Sequence, residues 1–206
     1  MKGLLIKEFY GIISYCKITL ILALFCVISF FTKDNAEYFV FYPFMLISMI
    51  PVTLASLDER YNWENYSMGL PVSKKDLVSV KFLVGAILNI ITLLFVGTGY
   101  LIAHINDATF TWATYFGLII FVLGLSFAGP AGTLPFMFKY GVEKGRSISL
   151  FTMMICYLPG LIFLQEDVQA LISNQLVVFS IVGLGSILLY LLAWKWSIKI
   201  YQKREF

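Results

Sequence analysis

Charge is scarce in this chain: of its 206 residues 15 are Lys or Arg and 12 are Asp or Glu, 13% in all, where a soluble domain carries about a quarter. Hydrophobic residues reach 60%, too many for a water-covered surface, so the expected solvent is a lipid bilayer. Histidine occurs once, at His104, and the three cysteines, Cys16, Cys26 and Cys156, all lie in or beside apolar stretches. They lack metal-ligand spacing and give no disulfide framework, so they are expected to be small hydrophobes in packed helices. No phosphate-binding loop of the form Gly-x-x-x-x-Gly-Lys-Ser/Thr occurs, which excludes binding and hydrolysing ATP by that route. The chain is therefore not expected to be an enzyme, and any nucleotide energy must come from a partner. No Asp, Glu, Lys or Arg falls in the middle of a long apolar stretch, where ion-coupled transporters typically place such groups.

What is present is long uncharged runs. Marking every charged residue leaves six: 18–32, 38–57, 82–103, 108–138, 147–165 and 168–194. A spanning helix needs roughly 20 predominantly apolar residues. Five runs meet or approach that, and the short first one is flanked by Lys17 and Lys33, whose methylene stems can lie in hydrocarbon while their ammonium heads reach the headgroups. The expected architecture is all-α and membrane-integral, with six spans at about 16–33, 38–57, 80–103, 108–135, 147–165 and 174–195. Orientation follows from the basic residues, which are retained in the cytoplasm during insertion. With the N-terminus inside, 14 of the 15 basic residues fall on the cytoplasmic side and Lys33 alone outside, where Asp34, Glu37, Asp107, Glu166 and Asp167 lie. Both termini are therefore expected inside. The inner basic excess serves insertion and attraction to anionic lipid, not nucleic acid. Residues 1–32 loosely imitate a signal peptide but offer no small-x-small cleavage site, so they are read as a retained first span. Asn65-Tyr-Ser67 matches a glycosylation sequon on the wrong side of the membrane.

Ahead of the first span, Leu5, Phe9, Ile12 and Cys16 recur at helical steps, and Lys2, Lys7, Glu8 and Ser14 fill the rest. That predicts a helix over 1–15 lying in the interface, or else a long first helix protruding into the cytoplasm. The outer loops, 33–37, 104–107 and 166–174, are too short to form a domain, and His104 reads as a plain interfacial residue. The fourth run is longer than an upright helix needs at about 1.5 Å per residue. Gly129, Pro130, Gly132 and Pro135 sit where it must bend or end, giving either a hinge or gate or a helix end. Asn89, Thr92 and Thr98 of the third span and Ser126 of the fourth are the strongest intramembrane polar groups. Such groups more often bridge helices, while Asn89, Thr92 and Ser126 are also candidates for a substrate path.

The loop over 58–79 is the longest polar segment. Its mix of charged and aromatic residues is that of a contact surface, and Ser73-Lys-Lys-Asp76 reads as a helix N-cap and capping box.

These features resemble the membrane permease subunits of bacterial type 2 ABC exporters over nearly the whole chain. The resemblance rests on Met1-Lys-Gly-Leu-Leu-Ile-Lys-Glu-Phe9 as an interfacial opening helix, on six spans, and on Asp58-Glu59 through Trp63-Glu64 to Leu70-Pro71-Val-Ser73-Lys-Lys-Asp76, followed by Val78-Ser-Val-Lys81. In that family an acidic pair after the second span, then Leu-Pro with a hydroxyl and basic residues, belongs to the coupling helix that docks on the ATP-binding subunit. The resemblance implies that Asp58, Glu59, Arg60, Tyr61, Trp63, Glu64, Tyr66, Leu70, Pro71, Lys74 and Lys75 couple to an ATPase. It further implies two permeases, as a homodimer, with two ATPase subunits in the bacterial cytoplasmic membrane. No cofactor is then expected on this chain, ATP and Mg being held by the partner. The small size resembles permeases that export phenol-soluble modulins or bacteriocin-like antimicrobial peptides, so the implied cargo is an amphipathic peptide moved by alternating access. Larger members carry extracellular re-entrant helices between the fifth and sixth spans, for which 166–174 leaves little room. Two other readings stay open on the residues: a passive immunity or assembly factor, and a secondary transporter or channel. The latter calls for intramembrane charge or an inverted repeat, and neither is visible.

Overall fold

Where proline, glycine and capping residues fall decides where this apolar chain breaks into helices. The computed structural model describes residues 2–28, 41–67, 69–104, 112–141 and 175–203, with 144–145, 147–148, 151–152 and 154–155. Among them the longer elements, all helical, are α1 (Lys2–Tyr15), α2 (Lys17–Ile28), α3 (Phe41–Ser48), α4 (Ile50–Arg60), α5 (Trp63–Ser67), α6 (Lys74–His104), α7 (Trp112–Tyr140) and α8 (Gln175–Gln202).

Three stretches, Lys74–Ile102, Tyr115–Tyr140 and Val177–Gln202, are long and apolar enough to cross a membrane. A fourth is added if α1 and α2, bent by 75°, count as one broken span. The expected six are not reached among the described residues. Most of the fifth run, 147–165, and the outer loops at 33–37 and 166–174 lie outside them. The second run is split into α3 and α4, of 8 and 11 residues. The split follows from Pro51 in the first turn of α4, since proline has no N–H to return to the preceding turn.

Ser73 caps α6 as the sequence predicts: the Asp76 N–H donates to Ser73 Oγ at 3.2 Å and the Ser73 N–H to Asp76 Oδ2 at 3.4 Å, two orphan donors satisfied reciprocally. Helix α7 runs through Pro130 and Pro135 without ending. It stops at Gly141, whose φ of 84° suits glycine and whose N–H returns to the Met137 carbonyl at 3.0 Å. Pro130 cannot donate to the Ser126 carbonyl one turn earlier, and Asn89 Nδ2 from α6 donates to it instead at 3.4 Å. A neighbouring side chain thus supplies what the proline withholds, the condition on which a helix inside lipid tolerates proline.

Helices α7 and α8 meet backbone to backbone: a Cβ on Gly124 would lie 2.5 Å from Gly183 Cα. Around that contact Phe44, Val96, Phe121, Val122, Leu125 and Phe179 form one core, with the Phe121 and Phe179 rings 4.8 Å apart. Helix α8 is tied to α6 by Tyr190 Oη, which donates to the Phe82 carbonyl at 2.6 Å, and by Trp194 Nε1, which donates to Ser79 Oγ at 3.1 Å. Less than a quarter of the apolar stretch of α8 is buried, against more than half in α6 and α7.

The predicted face of α1 requires correction. The buried positions are Leu4, Glu8 and Ile12, with Cys16 following at the bend, while Phe9 is exposed and Leu5 only half-buried. A carboxylate therefore lies on the inward stripe, and its partners explain why.

Candidate functional site

Glu8 enters the protein because two ammonium groups wait for it. Lys81 Nζ of α6 donates to Glu8 Oε1 at 2.7 Å and Oε2 at 2.8 Å, and lies 2.5 Å from Asp58 Oδ2 at the end of α4. Lys7 Nζ reaches Glu8 Oε1 at 3.0 Å and also pairs with Asp58 Oδ1. The result is a closed ring in which each ammonium touches both carboxylates and the net charge is zero. Side-chain exposure is 4% for Glu8, 5% for Lys81, 17% for Asp58 and 30% for Lys7. Withdrawing ions from water costs several kcal/mol each and is offset only where geometry is good and the remaining lone pairs and protons find partners. The sharing of both carboxylates by both ammoniums meets that condition.

The ring is walled by apolar side chains from almost every neighbouring helix. Leu4, Ala55, Trp63, Leu77, Val80, Phe138 and Tyr201 surround a cavity of about 40 Å³ beside it, enough for one or two waters. Lys7 Nζ stands 4.4 Å from the centre of the Trp63 ring, a cation–π contact that draws α5 into the same cluster. Phe138 of α7 and Tyr201 of α8 meet edge to face at 5.5 Å. Segments of α1, α4, α5, α6, α7 and α8 thus converge on one place, with the charges supplied by α1, α4 and α6.

The segment predicted to couple to an ATPase divides into an inner and an outer part. Asp58 and Trp63 turn inward, to the ring and to Lys7. Glu59, Arg60, Tyr61, Tyr66, Pro71 and Lys75 lie at the exposed surface, with Leu70 and Lys74 half-buried. The side chain of Glu64 lies outside the described residues. The division follows from an elbow at Asn62, whose φ of 50° is left-handed, a conformation asparagine tolerates better than most residues. Its N–H returns to the Glu59 carbonyl at 3.1 Å, so α5 leaves α4 at a fixed angle. Tyr61 Oη lies 3.2 Å from Tyr15 Oη at the far end of α1.

The predicted hinge residues sit inside α7, with Gly129, Pro130 and Pro135 buried and Gly132 half-buried. A Cβ on Gly132 would collide with the Thr152 side chain. Of the suggested path residues, Asn89 and Ser126 are brought together by the bond to the Ser126 carbonyl, and Asn89 Oδ1 is buried without a hydrogen-bond partner. The Thr92 hydroxyl bonds back to the Leu88 carbonyl at 2.8 Å. Thr92 also lines an apolar cleft with Leu20, Pro43, Ile47 and Phe95.

Lys7, Glu8 and Lys81 fall in stretches that carry the family resemblance, but no site role was expected of them. Glu8 and Lys81 are 73 residues apart, so no local spacing links them. The one available signal is that Glu8 stands one turn from both Leu4 and Ile12, on what is otherwise an apolar stripe.

No curated protein and no solved structure matches the chain significantly. The family model described as ABC-2 family transporter protein matches residues 3–202, from the start of α1 to the end of α8. An apolar helical bundle gathered around one charged hub, and following that model nearly end to end, belongs to the ABC-2 transporter family as a multi-pass membrane permease that works with an ABC ATP-binding partner.

Proposed function

We propose that this chain is the membrane subunit of an ATP-driven exporter for amphipathic peptides of the phenol-soluble modulin or antimicrobial type. Two copies pair with two ATP-binding subunits in the bacterial cytoplasmic membrane, with both termini inside. This chain performs no chemistry of its own; ATP and Mg belong to the partner. The observation that carries the reading is the divided segment around Asn62. Tyr66, 64% exposed, stands at the surface with Arg60 and Lys75, while Asp58 and Trp63 of the same segment are fastened into the bundle. A segment anchored on one side and aromatic on the other can take a displacement from a partner and pass it inward.

The scarcity of outer-loop residues and the uncharged, aromatic span surfaces suit a cargo that travels along the bilayer. Gly129, Pro130, Gly132 and Pro135 then serve as the bend at the gate, with Asn89, Thr92 and Ser126 beside the path. Co-purification with the ATP-binding subunit and cargo-stimulated ATP hydrolysis in reconstituted membranes test the reading. Tyr66→Ala should weaken co-purification much more than Lys75→Ala, because aromatic anchors dominate interfaces whereas exposed charges contribute little. If no ATP-binding subunit associates with the wild-type chain, a passive membrane factor is the better account. Cysteines placed at Asp107 and Asn174 should label from outside intact cells and one at Lys75 should not; the reverse pattern overturns the orientation.

A further inference from the structure

Replacing a buried ion group by apolar side chains of similar volume is often neutral or stabilising, so stability alone does not call for the Lys7–Glu8–Asp58–Lys81 ring. What a shared ring does, and a leucine cluster does not, is fix several elements in one register through directional contacts. Here it joins α1 to the end of α4 and to α6, and through Trp63 to α5.

Helix α1 also rests on the bundle through a short apolar stripe, Leu4 and Ile12, which share a core with Ile50, Leu54, Val80 and Val84. It is bent by 75° from α2, and its outward side chains Ile6, Phe9, Tyr10 and Ile13 are exposed. Along its inner side three contacts follow α4 and the elbow. Lys7 meets Asp58 and Trp63 midway along it, Gly11 lies so close to Leu54 that a Cβ there would stand 3.0 Å from Cδ2, and Tyr15 Oη meets Tyr61 Oη at its C-terminal end. A rod held at three points along one neighbour moves with it.

We propose that α1 is a working part of the coupling unit, locked by the charge ring to the segment that faces the ATP-binding subunit, with Glu8 and Lys81 as positioning residues. Displacement of the Asp58–Tyr66 segment carries α1 with it and reaches α2 through the bend at Cys16 and α6 through Lys81. Because each carboxylate is shared by both ammoniums, the ring yields as a unit. This rests on the reading that an ATP-binding subunit docks on that segment.

The test compares Glu8→Gln/Lys81→Met, which removes one opposite pair and leaves Lys7 with Asp58, with Lys81→Arg, which keeps a donor for both carboxylates. In the reconstituted complex the double variant should insert and bind the ATP-binding subunit as the wild type does. Its cargo-stimulated ATP hydrolysis should nevertheless fall by about tenfold or more, the size of a lost coupling between sites, while Lys81→Arg stays close to wild type. Tyr15→Phe/Tyr61→Phe, which removes an exposed tie and leaves the fold untouched, should give a smaller loss in the same direction. A second arm needs no ATP-binding subunit. Spin labels at the exposed Tyr10 and Tyr66 positions, in a chain whose three native cysteines are replaced by alanine, should give one narrow distance distribution. The same labels in the double variant should give a broad one. If the double variant keeps full stimulated hydrolysis, or its distribution stays narrow, α1 is not locked by the ring and the inference falls. Failure of the wild-type chain to bind an ATP-binding subunit would instead remove the functional reading and leave the spin-label arm to decide the lock.

Discussion

The charged hub and the α7–α8 seam hold helices together by opposite means. At the seam, Gly124 and Gly183 bring two backbones into contact with no side chain between them. Lipid tails are as apolar as leucine, so burying apolar surface does little to drive helices together inside a bilayer; close approach and dispersion must do it, and they tolerate no added atom. At the hub, four charges are joined through the long side chains of Lys7 and Lys81, and because each ammonium holds both carboxylates the joined segments can move together without losing a partner. The seam is thus the part of the molecule built to stay, and the hub the part able to shift while remaining paired.

The sharpest way to break this contrast is to unbalance the hub. Lys81→Ala leaves Glu8 and Asp58 buried with Lys7 alone, and removing one partner of a buried ion group typically costs about 3–5 kcal/mol. Thermal unfolding in detergent should show a loss of that order, whereas Glu8→Gln/Lys81→Met should show a much smaller one. Equal losses would mean that the ring acts by packing and not by charge balance. Next in size is the seam: Gly124→Val places atoms where Gly183 Cα already stands, and overpacking of this kind typically costs about 1–3 kcal/mol. Gly185→Val, two residues along α8 from Gly183 and with nothing within 4 Å, is the matched control and should be close to neutral. A similar loss from both would place the effect in helix propensity and not in the crossing.

The long helices that meet at the seam were legible in the sequence, but their crossing at Gly124 and Gly183 was not, and little of the hub was. The capping box at Ser73 and the long apolar helices α6, α7 and α8 follow from local patterns of hydroxyl, carboxylate and hydrophobic residues, which need no knowledge of neighbours. The loop at Asp58 was marked by its mixture of charges and aromatics, but that mixture does not say which side chains turn inward. Asp58 and Trp63 do so because Lys7 and Lys81 receive them, and those partners come from helices distant in the chain. For the same reason Glu8 was assigned to the polar side of α1: helical periodicity reports hydrophobicity and is blind to a carboxylate whose counter-ions lie on other helices. The prolines of α7 suggested a bend or an end. The helix continues because Asn89, on a different helix, bonds the carbonyl that Pro130 leaves open, a compensation no reading of 129–135 alone can supply.

The smallest expected effect concerns that compensation, and it joins the two regions, since α7 passes from the seam at Gly124 to the hub at Phe138 with Pro130 between. Asn89→Ala removes the donor to the Ser126 carbonyl and leaves that carbonyl without a partner in an apolar interior. Interhelical hydrogen bonds in membranes are worth about 0.6 kcal/mol on average and at most about 1.7, so a loss within that range is expected in thermal unfolding. Pro130→Ala restores a backbone N–H one turn beyond Ser126, so the carbonyl regains its own helix partner and the Asn89 amide is no longer required. In the Pro130→Ala background Asn89→Ala should therefore cost less than it does alone, and a double-mutant cycle should give a coupling whose sign reports the substitution of one donor for the other. Transport separates structure from motion: Pro130→Ala/Pro135→Ala should insert normally yet slow export, because α7 then loses the interruption that lets its hub end move while its seam end stays against α8. Strict additivity in the cycle would mean that Asn89 does not serve the proline. Unchanged export by the double alanine variant would mean that α7 transmits motion as a straight rod, and the contrast between a fixed seam and a moving hub would then have to be made across α6.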